Sequence, residues 1–296
     1  MKPAPFDYVA PASLEEALAA LGEHGVDAKL LAGGQSLIPV MNFRLAQPAV
    51  IIDLNRVPGL DRIEVTPDRR LRIGALCRHS AVERDSRVAE TAPLLHEAVP
   101  LIAHPQIRNR GTVGGSLAHA DPAAELPAVA VAARARLKLQ SAADERWVPA
   151  QEFFTGLFAT ALEPDEILVE IEVPASAPAT GWCFQEIARR HGDYAQVGVA
   201  AMVSLGSDGA CREARLVYLS VGDGPIEARQ AAALLAGEVL SEEALEAAVA
   251  HAGNEEIEPT DDIHASAEFK RHLARVLSRR ALRKAAERAR AVVGRS

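Results

Sequence analysis

Two segments constrain this chain more than any others. "KLLAGGQSLIPV" (29–40) and "NRGTVGGSLAHADPAAELP" (109–127) each set adjacent glycines and a serine between apolar runs. Glycine has no Cβ and tolerates positive φ, so successive amides can turn inward into a concave anion nest that an oxygen approaches closely. A plain Gly-Gly turn explains either segment alone. Taken together, with Ser36 behind the first pair and Thr112 and Ser116 around the second, they suit one ligand with two linked phosphates. Neither segment is GxGxxG, so the Rossmann fingerprint is missing. Neither carries the GK[ST] of a P-loop, which argues against nucleotide hydrolysis. The nearest cations in sequence are Arg44, Arg108 and Arg110. Downstream, Asp121 reads either as the cap of a following helix or, like Glu125, as an acceptor for ribose hydroxyls or a ring N–H.

The elements around these segments follow from capping and periodicity. Ser13 and Glu16 have capping-box spacing and predict a helix over roughly 14–24, with Leu14, Ala17, Leu18 and Leu21 on one face. "AKLLA", "VIIDL" (50–54) and "LRIGAL" (71–76) read as short strands, and Ser80 with Glu83 repeats the capping-box spacing. "AETAPLLHEAVPLIA" is helical in character with breaks at Pro93 and Pro100. After Pro122 the chain turns helical, then "ARLKLQ" and "DEILVEIEV" read as strands. "PASAPATG" (174–181) suits a linker. "WCFQEIARR", "AQVGVAAMVSLG" and "CREARLVYLSVG" follow as consecutive antiparallel strands, "RRHGDYA" between the first two suiting a hairpin turn. Helices near 241–252 and 265–292 close the chain. The last is arginine-rich, with Phe269, Leu273, Val276 and Leu277 as its expected apolar stripe. The expected fold is α+β: a mixed domain to about residue 175, then a three-stranded antiparallel sheet backed by helices.

Composition narrows the function classes. A net charge of −8 argues against general nucleic-acid affinity, which needs clustered Lys and Arg. Cys77, Cys183 and Cys211 form no CxxC pair, so no iron–sulfur cluster is expected in this chain, and sparse thiols fit a reducing cytoplasm. No histidine pair has helical spacing beside an acid, so no metal site is expected. The N-terminus lacks the apolar centre of a signal peptide, and no apolar run nears the ~20 residues that span a bilayer. The expectation is a cytoplasmic protein without a membrane span.

At this point the residues resemble a known family, the FAD-binding (medium) subunits of molybdenum hydroxylases, typified by carbon monoxide dehydrogenase and related to the flavin domain of xanthine dehydrogenase. "LAGGQSLIPVMNFRLAQP", "IRNRGTVGGSLAHADPAAELP", "DEILVEIEVP", "RRHGDYAQV" and "HASAEFKRHLARVLSRRAL" resemble family blocks in the family order, over almost the whole chain. The resemblance implies a p-cresol methylhydroxylase-type FAD-binding domain over 1–175, with subdomains of about 1–57 and 58–175, and a flavoprotein C-terminal domain over 176–296. It implies that Ala32, Gly33, Gly34, Gln35 and Ser36 cradle one side of the FAD diphosphate and Thr112, Gly114, Gly115 and Ser116 the other. Asp121 and Glu125 lie in the same block, and relatives often place Asp at the position of Glu125. Ile102, Leu168 and Tyr194 match flavin-side positions, and Gln185 stands where xanthine dehydrogenase-like chains carry a lysine. The cysteine-bearing insertion of a few relatives is missing. The implied role is electron transfer, from the [2Fe–2S] clusters of a small partner subunit to an external acceptor, while a large subunit with molybdenum cofactor hydroxylates the substrate. A dimer of heterotrimers is the implied assembly, and no residue of this chain is a catalytic nucleophile or base. Two rival readings stay open, a self-contained flavin oxidoreductase and a non-redox scaffold that binds a phosphate ligand. The substrate of the complex is open as well.

Overall fold

The computed structural model describes residues 2–293. The first layer is a parallel sheet in which Val50–Asp53 lies between Asp7–Val9 and Ala28–Leu31. The helix Leu14–His24 makes the crossover between the outer strands, burying Ala17, Leu18 and Leu21 against Val50 and Ile52. Its start follows the capping box with one change of partner. The Ser13 hydroxyl accepts from the Glu16 amide at 3.1 Å, while the Glu16 carboxylate accepts from the amide of Ala12 rather than of Ser13, at 2.8 Å.

The second layer is a five-stranded antiparallel sheet in the order Ile63–Val65, Leu71–Gly74, Ile167–Val173, Arg136–Gln140, Glu145–Pro149. Its long central strand arrives late in the chain, so everything between residues 75 and 135 is an insertion that covers one face of the sheet. That insertion is helical in short pieces, among them Ser86–Thr91 and Pro93–Ala98, because Pro93 can open a helix but not continue one. Ser80 does not cap. The helix there begins at His79 with Arg78 at the N-cap, and Glu83 instead pairs with Arg108 at 2.8 Å. The helix expected directly after Pro122 begins at Glu125 and runs to Ala132, buried along its whole length.

On the face of this sheet away from the main core, Glu172 stands in register between Arg72 and Arg136. Only 1 % exposed, its carboxylate accepts from Arg70 (2.9 Å), Arg72 (3.0 Å) and Arg136 (2.5 Å). A carboxylate removed from water needs such partners on both oxygens.

The third layer is antiparallel: Thr180–Ala188, Ala195–Leu205 and Cys211–Leu219, with a two-residue fourth strand, Ile226–Glu227, beyond the three expected. The helix Ala267–Val293 lies on it. The face it buries runs through Ala274, Leu277, Ala281, Ala285, Ala286 and Ala289; of the expected stripe, Leu277 lies in this core and Leu273 packs against it, while Phe269 is left 47 % exposed. Small residues let the helix backbone close directly on the sheet, where a Cβ at Gly181 would overlap the Ala285 carbonyl. No described helix is long and apolar enough to cross a membrane.

Burial pushes the Glu172 carboxyl up, but the hydrogen bonds from Arg136, Arg70 and Arg72 outweigh it and hold its pKa down at about 2. Its contribution is therefore complete above the ordinary glutamate range and disappears as pH falls through about 2. Glu172→Gln is expected to cost about 2–3 kcal/mol in urea unfolding at neutral pH, with a smaller difference from wild type in acid. An equal gap at both pH values would show that the arginine cluster is not what the carboxylate supports.

Candidate functional site

The segment 32–36 leaves the C-terminal end of the parallel strand Ala28–Leu31 and enters the helix Leu37–Asn42. Gly34 has φ +71°, a conformation that side chains rarely adopt. Gly33 presses on a different piece of backbone: a Cβ there would overlap the Arg110 carbonyl and lie 2.8 Å from the Gly111 Cα. Gln35 folds back to donate from Nε2 to the Gly33 carbonyl at 2.9 Å. Among the described residues, the amides of Gly33, Gly34, Gln35 and Ser36 donate to no protein acceptor. The first amide to bond back is that of Ile38, to the Gly34 carbonyl at 3.2 Å. With the amide of Leu37, these make five successive free N–H groups at a strand-to-helix turn, a donor set for an anion.

The second glycine pair is built differently. Thr112 caps the helix Val113–His119, its hydroxyl accepting from the Gly115 amide at 3.1 Å. The Val113 amide donates to Cys77 (3.0 Å), that of Gly114 to Ala75 (2.8 Å) and that of Ser116 to Thr112 (3.1 Å). The expectation of two equivalent nests is thus corrected, since the amides of 113–116 are already used. The bare face of Gly114 meets Ala75, where it lets the helix pack on the end of Leu71–Gly74. Gly115 faces the other loop, and a Cβ on it would lie 3.5 Å from the Ala32 Cβ. The two glycine pairs, 81 positions apart in sequence, therefore share one wall.

Two residues that sequence reading passed over join them. Asn55 donates from Nδ2 to the Ala32 carbonyl at 2.8 Å and accepts from Arg78 on Oδ1 at 2.5 Å. Arg78 donates in turn to the Arg110 carbonyl. Asp53 anchors Asn55 through its amide at 2.9 Å, and Tyr8 donates to Asp53 at 2.5 Å. One available signal was position, because Asn55 follows the end of a parallel strand, where open α/β sheets place their ligands. Burial, then repulsion from Arg110, lowers the Arg78 pKa, so two guanidinium groups stand close behind the loops. Arg108 instead serves the fold, bonded to Glu83 and to the Ile102 carbonyl at 3.0 Å. His79 lies under Gly111, its ring carbon and nitrogen 3.0 Å from where a Cβ would stand. Burial drives its pKa down to about 4.

The remaining expected residues divide into three groups. Ile102 and Leu168 are buried in the main core. Asp121 does not cap the helix Glu125–Ala132; its carboxylate accepts from Ala123 at 2.9 Å, within its own turn. Glu125 is 8 % exposed, and burial with the charge of Asp121 pushes its carboxyl up to about 7. The third group belongs to the hairpin of the third sheet. Tyr194 is 69 % exposed on a turn that Arg190 and Asp193 close with a 3.0 Å ion pair. Gly192 in that turn rests on the ring of His104, two residues from Ile102. Partial desolvation and the charges of Asp121 and Glu125 raise the Tyr194 phenol.

Gln185 is a correction. Strand side chains alternate, and Gln185 shares with Cys183 the face toward the C-terminal helix, in a groove with Arg280, Arg283 and Lys284. Its neighbour Glu186, not singled out in the sequence, points with Phe184 toward the main core, where the charge of Glu125 acts on it.

Residues 4–176 match the family model described as FAD binding domain in molybdopterin dehydrogenase, and residues 182–285 match the CO dehydrogenase flavoprotein C-terminal domain. The chain is 44 % identical to the 6-hydroxypseudooxynicotine dehydrogenase complex subunit alpha of Paenarthrobacter nicotinovorans, covering 98 % of this chain and 97 % of the relative. It is 40 % identical to the caffeine dehydrogenase subunit beta of Pseudomonas sp. strain CBB1, covering 97 % of each. Among solved structures, a carbon monoxide dehydrogenase from Hydrogenophaga pseudoflava that lacks the Mo-pyranopterin moiety superposes with a TM-score of 0.94. It is 41 % identical to this chain, with 97 % of this chain and 99 % of that one covered.

The Asn55–Arg78 link generates a prediction. Asn55→Ala and Arg78→Met each remove a hydrogen bond that holds one glycine segment to the other. Each is expected to weaken FAD binding about five- to twentyfold in a flavin-fluorescence titration, consistent with about 1–2 kcal/mol. Gly33→Val is expected to abolish retention of FAD, because the branched side chain has no room against Arg110. Wild-type occupancy in all three variants would remove the loops from the site.

Proposed function

Because the chain belongs to the FAD-binding subunits of the molybdenum hydroxylases, we propose that it is the electron-transfer flavoprotein of such an enzyme. In this reading it takes electrons from [2Fe–2S] clusters in a small partner subunit and passes them to an external acceptor. A large subunit carries the molybdenum cofactor, and the assembly is a dimer of heterotrimers. The observation that carries the reading is the convergence of both glycine segments on one wall, with the amides of 33–36 still free.

The residues fit FAD. The amides of Gly33, Gly34, Gln35 and Ser36 with the Ser36 hydroxyl would hold the diphosphate from one side, with Ala32 at the edge of that loop. Thr112, Gly115 and Ser116 would form the opposing surface rather than a second donor nest, with Gly114 behind them as the packing that brings the helix close. Arg78 and Arg110 supply positive charge without crowding the loop. Asp121 and Glu125 would accept from hydroxyl and N–H donors of the ligand, and Tyr194 would cover the ring. Ile102 and Leu168 would contribute apolar surface only at its edge. Bound FAD supplies the redox chemistry, accepting electrons singly and releasing them singly or in pairs. This chain's residues bind it, orient it and set its surroundings, and none is assigned as a nucleophile or general base.

Co-expression with its partner subunits is expected to yield a yellow complex with one FAD per copy of this chain and absorbance near ~450 nm. On its own the chain is expected to bind FAD and to leave it oxidised when candidate substrates are added without air. The same additions to the full complex should bleach the flavin. Bleaching of the isolated chain would favour a self-contained oxidoreductase, and a colourless chain that takes up no FAD would favour a phosphate-binding scaffold.

A further inference from the structure

The pair Glu125 and Glu186 is not explained by packing. Trp182, Phe184 and Glu186 alternate onto the face of the third sheet that meets the main core, while Cys183 faces the C-terminal helix. Glu186 pairs in register with Gly198, so the central strand presents no side chain beside it, and Leu219 fills part of that space. From the opposite side, the turn 121–125 is fastened to the same sheet by the Ser220 amide, which donates to the Pro122 carbonyl at 2.8 Å. The turn that carries Glu125 and the strand that carries Glu186 thus face each other across the seam between the second and third layers.

Among the described residues, neither finds a partner on another residue. Oε2 of Glu186 is closed to solvent and makes no hydrogen bond. Among the described residues, Glu125 accepts no hydrogen bond from any other residue. The charge that acts on Glu186 is that of Glu125, and the one that acts on Glu125 is that of Asp121; among the described residues no lysine or arginine compensates either. Tyr194 is the other titratable group that faces this cluster. Contrast Glu172, whose three arginines keep it ionised. Two neighbouring carboxyls shielded from water and without cations do not both ionise near neutrality.

We propose that Glu125 and Glu186 titrate as one unit that retains a proton across the seam, and that Glu186 is a positioning residue keeping a single negative charge on the wall beside the bound isoalloxazine. The second part rests on the FAD reading above, and the first does not. Burial lifts Glu125 to about 7, and burial with the Glu125 charge lifts Glu186 to about 8. Loss of the last proton would place a second negative charge beside a ring that must accept electrons, and so lower its midpoint potential.

The test uses the full chain as purified, and again after adding FAD, with the carboxyl groups followed by infrared difference titration. Two ionisations are expected in the wild type, the later near pH 8. In Glu125→Gln a single step should remain, at lower pH than that later one, and in Glu186→Gln one step should be lost. Glutamine matches a protonated carboxyl in shape, so both variants should fold. In the FAD-loaded protein, the midpoint potential should fall more steeply between about pH 7 and about pH 9 in the wild type than in Glu186→Gln. A late step unmoved in Glu125→Gln overturns the shared proton, and equal potential slopes overturn the positioning role. A chain that shows the paired titration but binds no FAD overturns the cofactor reading and the positioning role with it, leaving the proton pair intact.

Discussion

The candidate site depends on one backbone-to-backbone contact, Gly33 against the Arg110–Gly111 strap. No side chain can mediate it, and no change of rotamer can relieve it. With its back against the strap, the loop has the amides of 33–36 free, because no neighbouring carbonyl takes them. Asn55 and Arg78 hold the carbonyls of Ala32 and Arg110 from behind, so the contact is fastened by hydrogen bonds rather than by apolar area. His79 supports the strap from beneath, as a buried neutral ring.

The site is polarised along the helix Val113–His119, which at 1.5 Å per residue is about 10 Å long. Its N-terminus faces the donor loop, and Thr112 at its cap bridges to the backbone of Arg78. Beyond its C-terminus stand Asp121, Glu125 and Glu186, the two glutamates without a compensating cation among the described residues. An anionic group at one end and hydrogen-bond donors of a ring system at the other match this layout, and the reverse orientation would oppose it. Three separate cores contribute to it, since the loops belong to the first two sheets and Glu186 and Tyr194 to the third.

Much of this was legible beforehand. The capping box at Ser13, the short apolar strands and the hairpin around Gly192 are local features, and local chemistry fixes them. The errors came where distant residues competed for the same groups. Ser80 lost its capping role once the helix began at His79, and Glu83 found Arg108 instead. Asp121 closed its own turn. The C-terminal helix carries alanines where it closes on the sheet, because the backbone at Gly181 leaves no room there for larger residues. Gln185 and Glu186 differ by one position, and a strand turns that single step into opposite faces.

The amino-acid order by itself determined that two glycine segments would offer bare backbone, that three strands would follow a mixed domain, and that the chain resembles a flavoprotein family. Glycine and capping residues act within a few positions of themselves, so their consequences can be read along the chain. Only the tertiary structure decided which amides stay free, which cation stands behind them and which carboxyls meet across the seam. Those outcomes depend on which acceptor or charge arrives from elsewhere in the chain, and folding alone brings them within reach.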